Sequence, residues 1–333
     1  DDLEEYWPIG LTPPVREWVT KNINGGQVST GKVRLSWQGE DFISGTFSDD
    51  AVEFFVDFEG VTVSYMQGQP ELVGSTGTAR LRGGALDIAM TSGRIGKLEL
   101  SDGKAHISGL EGNTPLAEIG FVATGSVAAG VSLLYLPPFD FSQTLNLQPG
   151  LLGGQMAMRA LFSFPLNAAI DAEDFRFSAA ANIVDFELKS GLGGYAVNKG
   201  AVVTLIDGNG ISVEGRINVS GVPSKVIWKK NFRGPGSELS KLNINMTLDD
   251  EGWNKLDLPR PPWLEGPVTV NGDFVAKDLS ILSGVVALNL TSASLDIPEI
   301  FWSKRAGSAA HAMLRIASSP SLGAGAEDRQ ISF

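Results

Sequence analysis

Few side chains of this sequence could serve as a general base, a nucleophile or a metal ligand. There are two histidines, His106 and His311, far apart in sequence, and no cysteine. The lack of cysteine excludes disulfides, thiolate metal sites and a thiol nucleophile. A Ser-His-Asp triad is not excluded by these counts, but no nucleophile-elbow motif supports one. We interpret His106, inside an alternating segment, as a surface residue of a strand.

Two groups of neighbouring carboxylates have the composition of a catalytic or calcium site. Asp49-Asp50 and Asp249-Asp250-Glu251 could supply calcium ligands or a glycosidase pair. Both groups stand at predicted turns, so we interpret them as solvated turn residues. We therefore predict no catalytic residue, no metal and no cofactor.

Two glycine-rich segments and three glycosylation sequons have simpler interpretations. Segments 191–195 and 208–210 lack the lysine and the following helix of a phosphate-binding loop, and they predict hairpin turns. The sequons begin at Asn218, Asn245 and Asn289, where the asparagines alternate with apolar strand residues. We regard these sequons as incidental.

The seven tryptophans leave two interpretations open. They could form platforms for carbohydrate, or they could pack in the core and at sheet edges. Their scatter along the chain and their positions near element ends favour packing. They are Trp7, Trp18, Trp37, Trp228, Trp253, Trp263 and Trp302.

Composition indicates a β-rich chain and excludes several partners. Hydrophobic residues make up 43% of 333 residues, charged residues only 19%, and there are 40 glycines and 17 prolines. This mixture suits many strands joined by tight turns.

The net charge of −12 and the pI of about 4.7 disfavour nucleic acid and anionic membrane surfaces as partners. The sequence has neither a membrane-spanning apolar run nor a signal peptide, and it begins abruptly at Asp1, so we expect a piece of a longer protein.

A cadence of strand, glycine turn and strand recurs three times. It runs from Gly31 through Gly39 to Gly45, from Gly96 through Gly103 to Gly109, and from Gly200 through Gly208 to Gly215. The cadence predicts a long antiparallel sheet of loosely repeated hairpins, with Gly39, Gly103 and Gly208 at turns.

Helical signals are few. Thr12 as N-cap, Pro13 and Pro14 in the first turn and Gly25 as C-terminal stop predict one helix. Its apolar stripe comprises Val15, Trp18, Val19 and Ile23. Segment 156–164 is rich in helix-forming residues, but its strict alternation predicts a strand. An Ala-rich middle allows part of 303–317 to be helical.

Period-two alternation dominates the remaining sequence and gives each strand one apolar and one polar face. Phe139, Phe141, Leu145 and Leu147 continue this pattern. A sheet with one apolar face must bury that face or present it to an apolar ligand. Roughly twenty strands at about 4.8 Å spacing extend about 95 Å, room for several acyl chains in file. The candidate ligand-lining residues are Val52, Phe54, Val56, Phe58, Leu86, Ile88, Met90, Leu98, Leu100, Met156, Met158, Phe162, Phe186, Leu188, Val213, Ile217, Val219, Leu242, Ile244, Met246, Leu288 and Leu290.

The predicted organisation is one continuous β-structure with a break in composition near its middle. Residues 1–135 hold the helix and a first β-segment, and 136–165 hold a Pro/Gly-rich connector with one strand. Residues 166–320 form a second β-segment, and 321–333 form a flexible tail rich in small residues.

Three segments resemble the YhdP-type, AsmA-like proteins of Gram-negative bacteria. The first resembles a family signature in which a Trp-Pro pair and a Pro-x-x-x-x-Trp-Val-x-x-Asn-Ile helix precede a Gly-x-Val strand. It is carried by Trp7-Pro8, Pro13 or Pro14, Trp18-Val19, Asn22-Ile23, Gly26 and Val28. The second is Val219 to Pro223 with Trp228, Asn231 and Phe232, and the third is Leu295 to Pro298 with Trp302 and Lys304.

The resemblance implies a mainly β fold: a long, curved, twisted antiparallel sheet that forms a U-shaped apolar groove, with a short N-terminal helix. It implies non-enzymatic transport of phospholipid through the periplasm, from inner to outer membrane, by a bridge-like protein anchored in the inner membrane by parts absent from this chain. The implied partners are phospholipid acyl chains and neighbouring groove segments of the same full-length chain, and not nucleic acid. Two alternatives stay open: a scaffold or chaperone for outer-membrane assembly, and, less favoured by the irregular cadence, a polysaccharide-active β-solenoid enzyme.

Overall fold

A computed structural model describes residues 13–36, 52–110, 112, 114–166, 175–318 and 329–332. The chain is mainly β, as predicted, and its dominant feature is one large, open antiparallel sheet. Sixteen strands of this sheet follow each other in sequence order, and three further strands form a small separate sheet. The predicted positions at Gly39, Asp49 and Asp50, Trp7, Trp37 and Thr12 lie outside the described residues.

In the described part of the N-terminal half, long strands alternate with three short helices. Helix α1 spans Pro13–Asn22, α2 spans Val127–Leu134 and α3 spans Ser142–Leu145, and a 3₁₀ turn covers Pro149–Leu151. The strands are β1 Gln27–Leu35, β2 Val52–Val63, β3 Leu72–Arg82, β4 Ala85–Ile95, β5 Leu98–Ser108, β6 Leu116–Ser126, β7 Leu152–Pro165 and β8 Arg176–Leu192.

The C-terminal half continues the sheet and adds the small one. Helix α4 spans Asp250–Lys255, and a 3₁₀ turn covers Pro298–Ile300. The large sheet continues with β9 Tyr195–Asp207, β10 Gly210–Val219, β11 Val222–Asn231, β12 Leu239–Leu248, β14 Val268–Lys277, β15 Ser280–Asn289, β18 His311–Ser318 and β19 Arg329–Ser332. The small sheet contains β13 Leu264–Glu265, β16 Ser294–Ile297 and β17 Trp302–Lys304.

The chain divides into two compact units. The first unit contains Asp1–Phe141 and Met156–Ala180, and the second contains Ser142–Gln155 and Ala181–Phe333. Residues of the predicted connector 136–165 therefore belong to both units. Of the predicted tail, 329–332 form β19, which pairs with β18.

In the first unit, helix α2 and the segment after it lie close to the sheet. Ser126 caps α2 by accepting a hydrogen bond from the Ala129 N–H at 3.2 Å. A Cβ on Gly130 would lie only 2.4 Å from Met156 Cε, so the helix backbone packs directly on β7. Gln69 Nε2 donates to the carbonyl of Pro137 at 2.8 Å, which ties this segment to the β2–β3 connection.

In the second unit, the sheet coils. The Gly193 N–H, in the β8–β9 turn, donates to the carbonyl of Leu279, in the β14–β15 turn, at 3.3 Å. Three further strands, β10, β11 and β12, lie between these two hairpins in the sheet order, so the hairpins can meet only because the sheet is twisted and coiled. A Cβ on Gly193 would lie 3.2 Å from Ile281 Cδ1, and glycine leaves room for this approach.

The small sheet of the second unit contributes residues to a compact apolar cluster. The cluster consists of Leu264, Val268, Leu290, Ala293 and Leu295, with Trp253 packed against it. Lys304 of β17 is 8% exposed, and its Nζ donates to the carbonyls of Leu290 at 2.9 Å and Ala293 at 2.7 Å. These hydrogen bonds hold the small sheet against the 290–293 turn.

Several predicted elements are confirmed. Helix α1 occupies the predicted position, 156–164 lies within β7, and the turns at 193–194 and 208–209 join hairpins. The predicted apolar stripe of α1 is only partly buried, because Val19 is buried whereas Trp18 is exposed.

Other predictions are wrong. Gly103 is not at a turn: β5 runs through it with an irregularity in its pairing between Ser101 and Lys104, where Asp102 has a φ of 49°. Segment 303–317 contains no helix and instead forms part of β17 and most of β18. Residues 139–147 form turns and α3 rather than a strand, because the pattern of four apolar residues did not distinguish these structures.

Candidate apolar ligand site

In the first unit, strand pairing aligns apolar residues into three rows across the sheet. We call the side that carries them the apolar face of the first unit. The first row contains Val33, Phe54, Leu81, Leu86, Ile107 and Ala117. The second row contains Gly31, Val56, Ala79, Ile88, Ala105 and Ile119. The third row contains Phe58, Gly77, Met90 and Gly103.

The predicted lining residues of this unit fall largely into those rows. Phe54, Val56, Phe58, Leu86, Ile88 and Met90 are members, and Val52 pairs with Leu35 beyond the first row. Leu98 and Leu100 pair with Ile95 and Gly93 and are buried. The structure therefore places the predicted residues of two separate strands, β2 and β4, on one face, as alternation requires.

A cluster of phenylalanines adjoins this face. The Phe162 ring lies 5.7 Å from that of Phe121 and 6.1 Å from that of Phe139, measured between centroids. Phe139 also contacts Phe175 at 5.3 Å, and Phe164 stacks on Phe175 at 5.4 Å. Sequence reasoning included only Phe162 of these, because the 139–141 segment was assigned to a strand rather than to a segment lying over β7 and β8.

In the second unit, pairing aligns three comparable rows, which define its apolar face. The first row contains Val202, Gly215, Val226, Ile244, Gly272, Val286 and Leu314. The second contains Thr204, Val213, Trp228, Leu242, Phe274, Gly284 and Ile316. The third contains Ile206, Ile211, Lys230, Ser240, Ala276 and Ile281.

The predicted lining residues of the second unit share this face or its continuation. Val213, Leu242 and Ile244 lie in the rows, and Ile217, Met246 and Leu288 form a further row through Ser224 and Val270. Val219 pairs with Val222 and is buried, as is Leu188. Leu290 lies in the apolar cluster at the small sheet rather than in a row.

Three further predicted residues are placed by individual contacts. A Cβ on Gly200 would lie 2.7 Å from Phe186 Cβ and 3.3 Å from Ile217 Cγ2, so Phe186 shares the face of Ile217. Met156 is buried beneath α2, and Met158, two residues along β7, is half-buried.

The opposite faces carry the charged and amide side chains. In the first unit, Glu53 bridges Arg80 at 2.6 Å and Arg34 at 3.2 Å. In the second unit, Asn243 Nδ2 donates to the side-chain oxygens of Asn271 at 2.9 Å and Asp273 at 2.8 Å. We call these opposite faces the polar faces, although that of the second unit also exposes Val203, Leu205, Val285 and Met313.

The apolar face of the second unit is interrupted by polar residues that sequence reasoning missed. Ser224 and Ser240 are buried and satisfied, since their hydroxyls donate to the carbonyls of Val222 at 3.0 Å and Ala276 at 3.4 Å. The Thr204 hydroxyl is buried without a hydrogen-bond partner. Lys230 is 6% exposed, and the described residues give it neither a hydrogen bond nor an ion pair. The doublet Lys229-Lys230 in an alternating strand was the available signal, because alternation must turn one of the two lysines inward.

The groups that could have done acid–base chemistry do not assemble. His106 is exposed on the polar face, as predicted, with Nδ1 2.7 Å from Asp87 Oδ1. Asp249 is a helix cap rather than a free turn residue, because it accepts from the Gly252 N–H at 2.8 Å. Within the described ranges, no three His, Cys, Asp or Glu residues cluster as a metal site would require.

Two ionisable groups elsewhere have displaced pKa values. The hydrogen bond and charge of Lys21, 2.6 Å away, lower the pKa of the exposed Glu17. Burial raises the pKa of Tyr65 to about 12. Both shifts stabilise the form these groups already have at neutral pH, so neither creates a base or a nucleophile.

A shallow depression lies at the β14–β15–β18 edge of the second unit. Its volume is about 410 Å³. Its lining comes mainly from the polar face and comprises Thr269, Asn271, Ala287, Leu288, Asn289, His311, Ala312 and Met313. It brings one histidine together with no carboxylate, so it lacks the partners that acid–base catalysis needs.

The tryptophans of the described residues divide by exposure. Trp18, Trp263 and Trp302 are exposed, whereas Trp228 and Trp253 are half-buried. Trp228 lies in a row of the apolar face, and Trp253 packs on the apolar cluster. These two tryptophans fit the packing interpretation, and the exposed three leave the carbohydrate interpretation open.

Comparison with known proteins adds no constraint. The chain matches no protein-family model, no curated protein and no solved structure at a significant level. Among the described helices, none has the length and apolar character needed to cross a membrane.

Proposed function

We propose that this chain is a non-enzymatic carrier of phospholipid acyl chains, which lie along the apolar faces of its large sheet. The proposal extends to a U-shaped apolar groove in which lipid moves through the periplasm between the inner and outer membranes. It also includes membership of the YhdP-type, AsmA-like proteins, on the resemblance of the Trp-Pro, Trp-Val and Asn-Ile segments near the N-terminus.

The observation that carries this proposal is the alignment of apolar side chains into rows across successive strands. In the first unit, the row through Val56, Ile88 and Ile119 consists of half-buried residues, so part of its apolar surface is reachable. Exposed apolar area of this kind costs about 25 cal/mol per Å² in water, and contact with acyl chains removes that cost.

The charges of the chain support the same assignment. Ion pairs and amide ladders lie on the polar faces, and the rows of the first unit contain no charged residue. An acyl chain on such a surface meets no fixed polar group that would hold it in one place, which suits a ligand that must move.

The test is lipid copurification with a matched pair of variants. The chain is purified without detergent, and bound lipid is extracted and quantified by mass spectrometry. We expect phospholipid with the unmodified chain and several-fold less with Ile88→Asp, because a carboxylate on the apolar face repels acyl chains. The control is Ala89→Asp, one residue along β4 on the polar face, which should retain lipid.

A lipid-free preparation of the unmodified chain would contradict the proposal. Retention of an unfolded peptide in place of lipid would favour the chaperone function, in which the same faces hold unfolded strands. Circular dichroism of both variants checks that the sheet has formed.

A further inference from the structure

Lys230 is a charged residue in the rows of the second unit's apolar face. It is 6% exposed, it lies one residue before the end of β11, and its cross-strand neighbours on that face are Ile211 and Ser240. The Ser240 hydroxyl donates to the Ala276 carbonyl, so it is already engaged. The described residues supply no counterion for the Lys230 ammonium.

The Lys230 nitrogen is not one of the fully buried polar atoms, so the ammonium reaches the surface while the rest of the side chain lies among apolar residues. Position 230 lies beside the 232–238 connection, so the ammonium can be directed toward the end of the strand while its methylene stem covers apolar surface. A ligand that carries an anionic group on an apolar chain can therefore contact both the ammonium and the apolar residues around it.

The charged groups around Lys230 are mainly cations. Lys229 and Lys241 face each other across the polar side of the same two strands, and Arg233 follows in the connection. Of the nearby acids, Asp207 accepts from the N–H groups of Asn209 and Gly210, at 2.7 and 3.1 Å, and Glu238 is exposed. Inside a chain of net charge −12 this is a local positive region.

The neighbouring row supplies the apolar half of a site. Val213, Trp228 and Phe274 are half-buried and lie one row from Lys230. The Phe274 ring lies over Gly272 and Gly284, where an added Cβ would approach within 2.4 Å. The buried Thr204 hydroxyl of this row lacks a partner, so a second hydrogen-bond donor stands on the same face.

We propose that Lys230 binds the anionic headgroup of a lipid whose acyl chain lies on the row of Val213, Trp228 and Phe274. This inference rests on the proposed function and adds a chemical preference to it: an acidic group directly attached to an apolar chain. The acidic group is a phosphate or a carboxylate, and Lys230 recognises the negative charge that both share.

The test compares ligands that differ only in their headgroups. Isothermal titration calorimetry measures binding of laurate, lauroyl-lysophosphatidic acid and dodecanol, each below its aggregation threshold, to the unmodified chain, Lys230→Met and Lys230→Arg. The control is Lys225→Met, an exposed lysine on the polar face of β11 outside this positive region. We expect Lys230→Met to weaken binding of both acids by about tenfold or more, the loss expected for one charge-assisted hydrogen bond. Lys230→Arg and Lys225→Met should bind the acids nearly as the unmodified chain does, and dodecanol binding should not change.

Each alternative outcome has a definite meaning. Equal affinities for laurate and dodecanol, unaffected by Lys230→Met, would overturn the headgroup site and leave the proposed acyl-chain carrier standing. Competition by inorganic phosphate alone at similar concentration would show a free-anion site and overturn the lipid assignment. Binding of none of the ligands would overturn both proposals. Tighter binding of lauroyl-lysophosphatidic acid than of laurate to the unmodified chain would identify phosphate as the preferred headgroup.

Discussion

Two lysines of the second unit are almost equally buried, yet their surroundings differ completely. Lys304, in the small sheet, is 8% exposed, and its ammonium donates to the carbonyls of Leu290, Ala293, Arg305 and, at 3.4 Å, Thr291. Lys230, in the large sheet, is 6% exposed and has no such partner among the described residues. The first lysine is explained by the fold, and the second is not.

The difference separates a structural region from a candidate binding region. Around Lys304 the chain encloses a small apolar cluster and gives the buried ammonium its carbonyl partners, although the indole nitrogen of Trp253, packed against that cluster, has no hydrogen-bond partner. Around Lys230 the face contains an unsatisfied hydroxyl and half-buried aromatic rings. Charged side chains that lie among apolar residues nearly always have partners, so the region around the unpaired Lys230 is the one that an anionic ligand can complete.

Removing the ammonium of Lys304 should produce the largest effect. Lys304→Met leaves up to four carbonyls without their donor, and we expect the free energy of unfolding to fall by about 3 kcal/mol. Urea titration followed by circular dichroism measures the change, with the exposed Arg305→Met as control. A loss of less than about 1 kcal/mol would contradict the structural role given to Lys304.

Removing the unpartnered hydroxyl of Thr204 should change the free energy of unfolding in the opposite direction. Thr204→Val is nearly isosteric and removes a buried polar atom that has no partner, so stability should rise by about 1 kcal/mol. Ser224→Ala is the matched variant, and it should lower stability by about 1 kcal/mol because its hydroxyl is bonded to the Val222 carbonyl. Thermal unfolding measures both changes. A change in stability of the same sign for the two variants would mean that Thr204 is not an unsatisfied group.

Replacing Lys230 should leave the ligand-free chain as stable as before. Lys230→Met removes a charge and keeps the stem, so we expect a change between zero and a gain of about 1 kcal/mol. The measurement is again urea unfolding, beside Lys304→Met. A loss comparable to that of Lys304→Met would remove the distinction between the two regions.

The smallest expected effect concerns the polar side of the same strands. Lys229 and Lys241 are directly opposite each other, and like charges in this position are unfavourable. Lys229→Glu should raise stability by about 0.5 kcal/mol at low ionic strength, and the gain should shrink in high salt. A gain that is independent of salt would indicate an effect other than charge.

Alternation correctly predicted several strands and the residues that share a face in them, although it also assigned residues 139–147 to a strand. Leu242, Ile244 and Met246 alternate with asparagines, and the pairing of β12 with β11 and β14 keeps all three on one side. Alternation succeeds because side-chain direction in a strand is a local property.

Other features depended on contacts between distant segments. Helix α2 had a cap at Ser126, but its run of eight residues is too short for periodicity to distinguish helix from strand. The glycine at 103 lies within a strand, and Met90 of the neighbouring strand fills the space above it, with Cε 2.6 Å from the position of a Cβ. The coiling that brings Gly193 to Leu279 is a property of the whole sheet, and no local pattern encodes it.

The central claim, that the apolar face carries lipid acyl chains, is tested most directly by photocrosslinking along β4. A photoreactive amino acid is placed in turn at Leu86, Asp87, Ile88 and Ala89, and adducts are identified by mass spectrometry after illumination in cells. Leu86 and Ile88 lie on the apolar face, and Asp87 and Ala89 lie on the polar face. We expect phospholipid adducts at 86 and 88 and none at 87 and 89. Adducts at none of the four positions, or equally at all four, would contradict the proposed function.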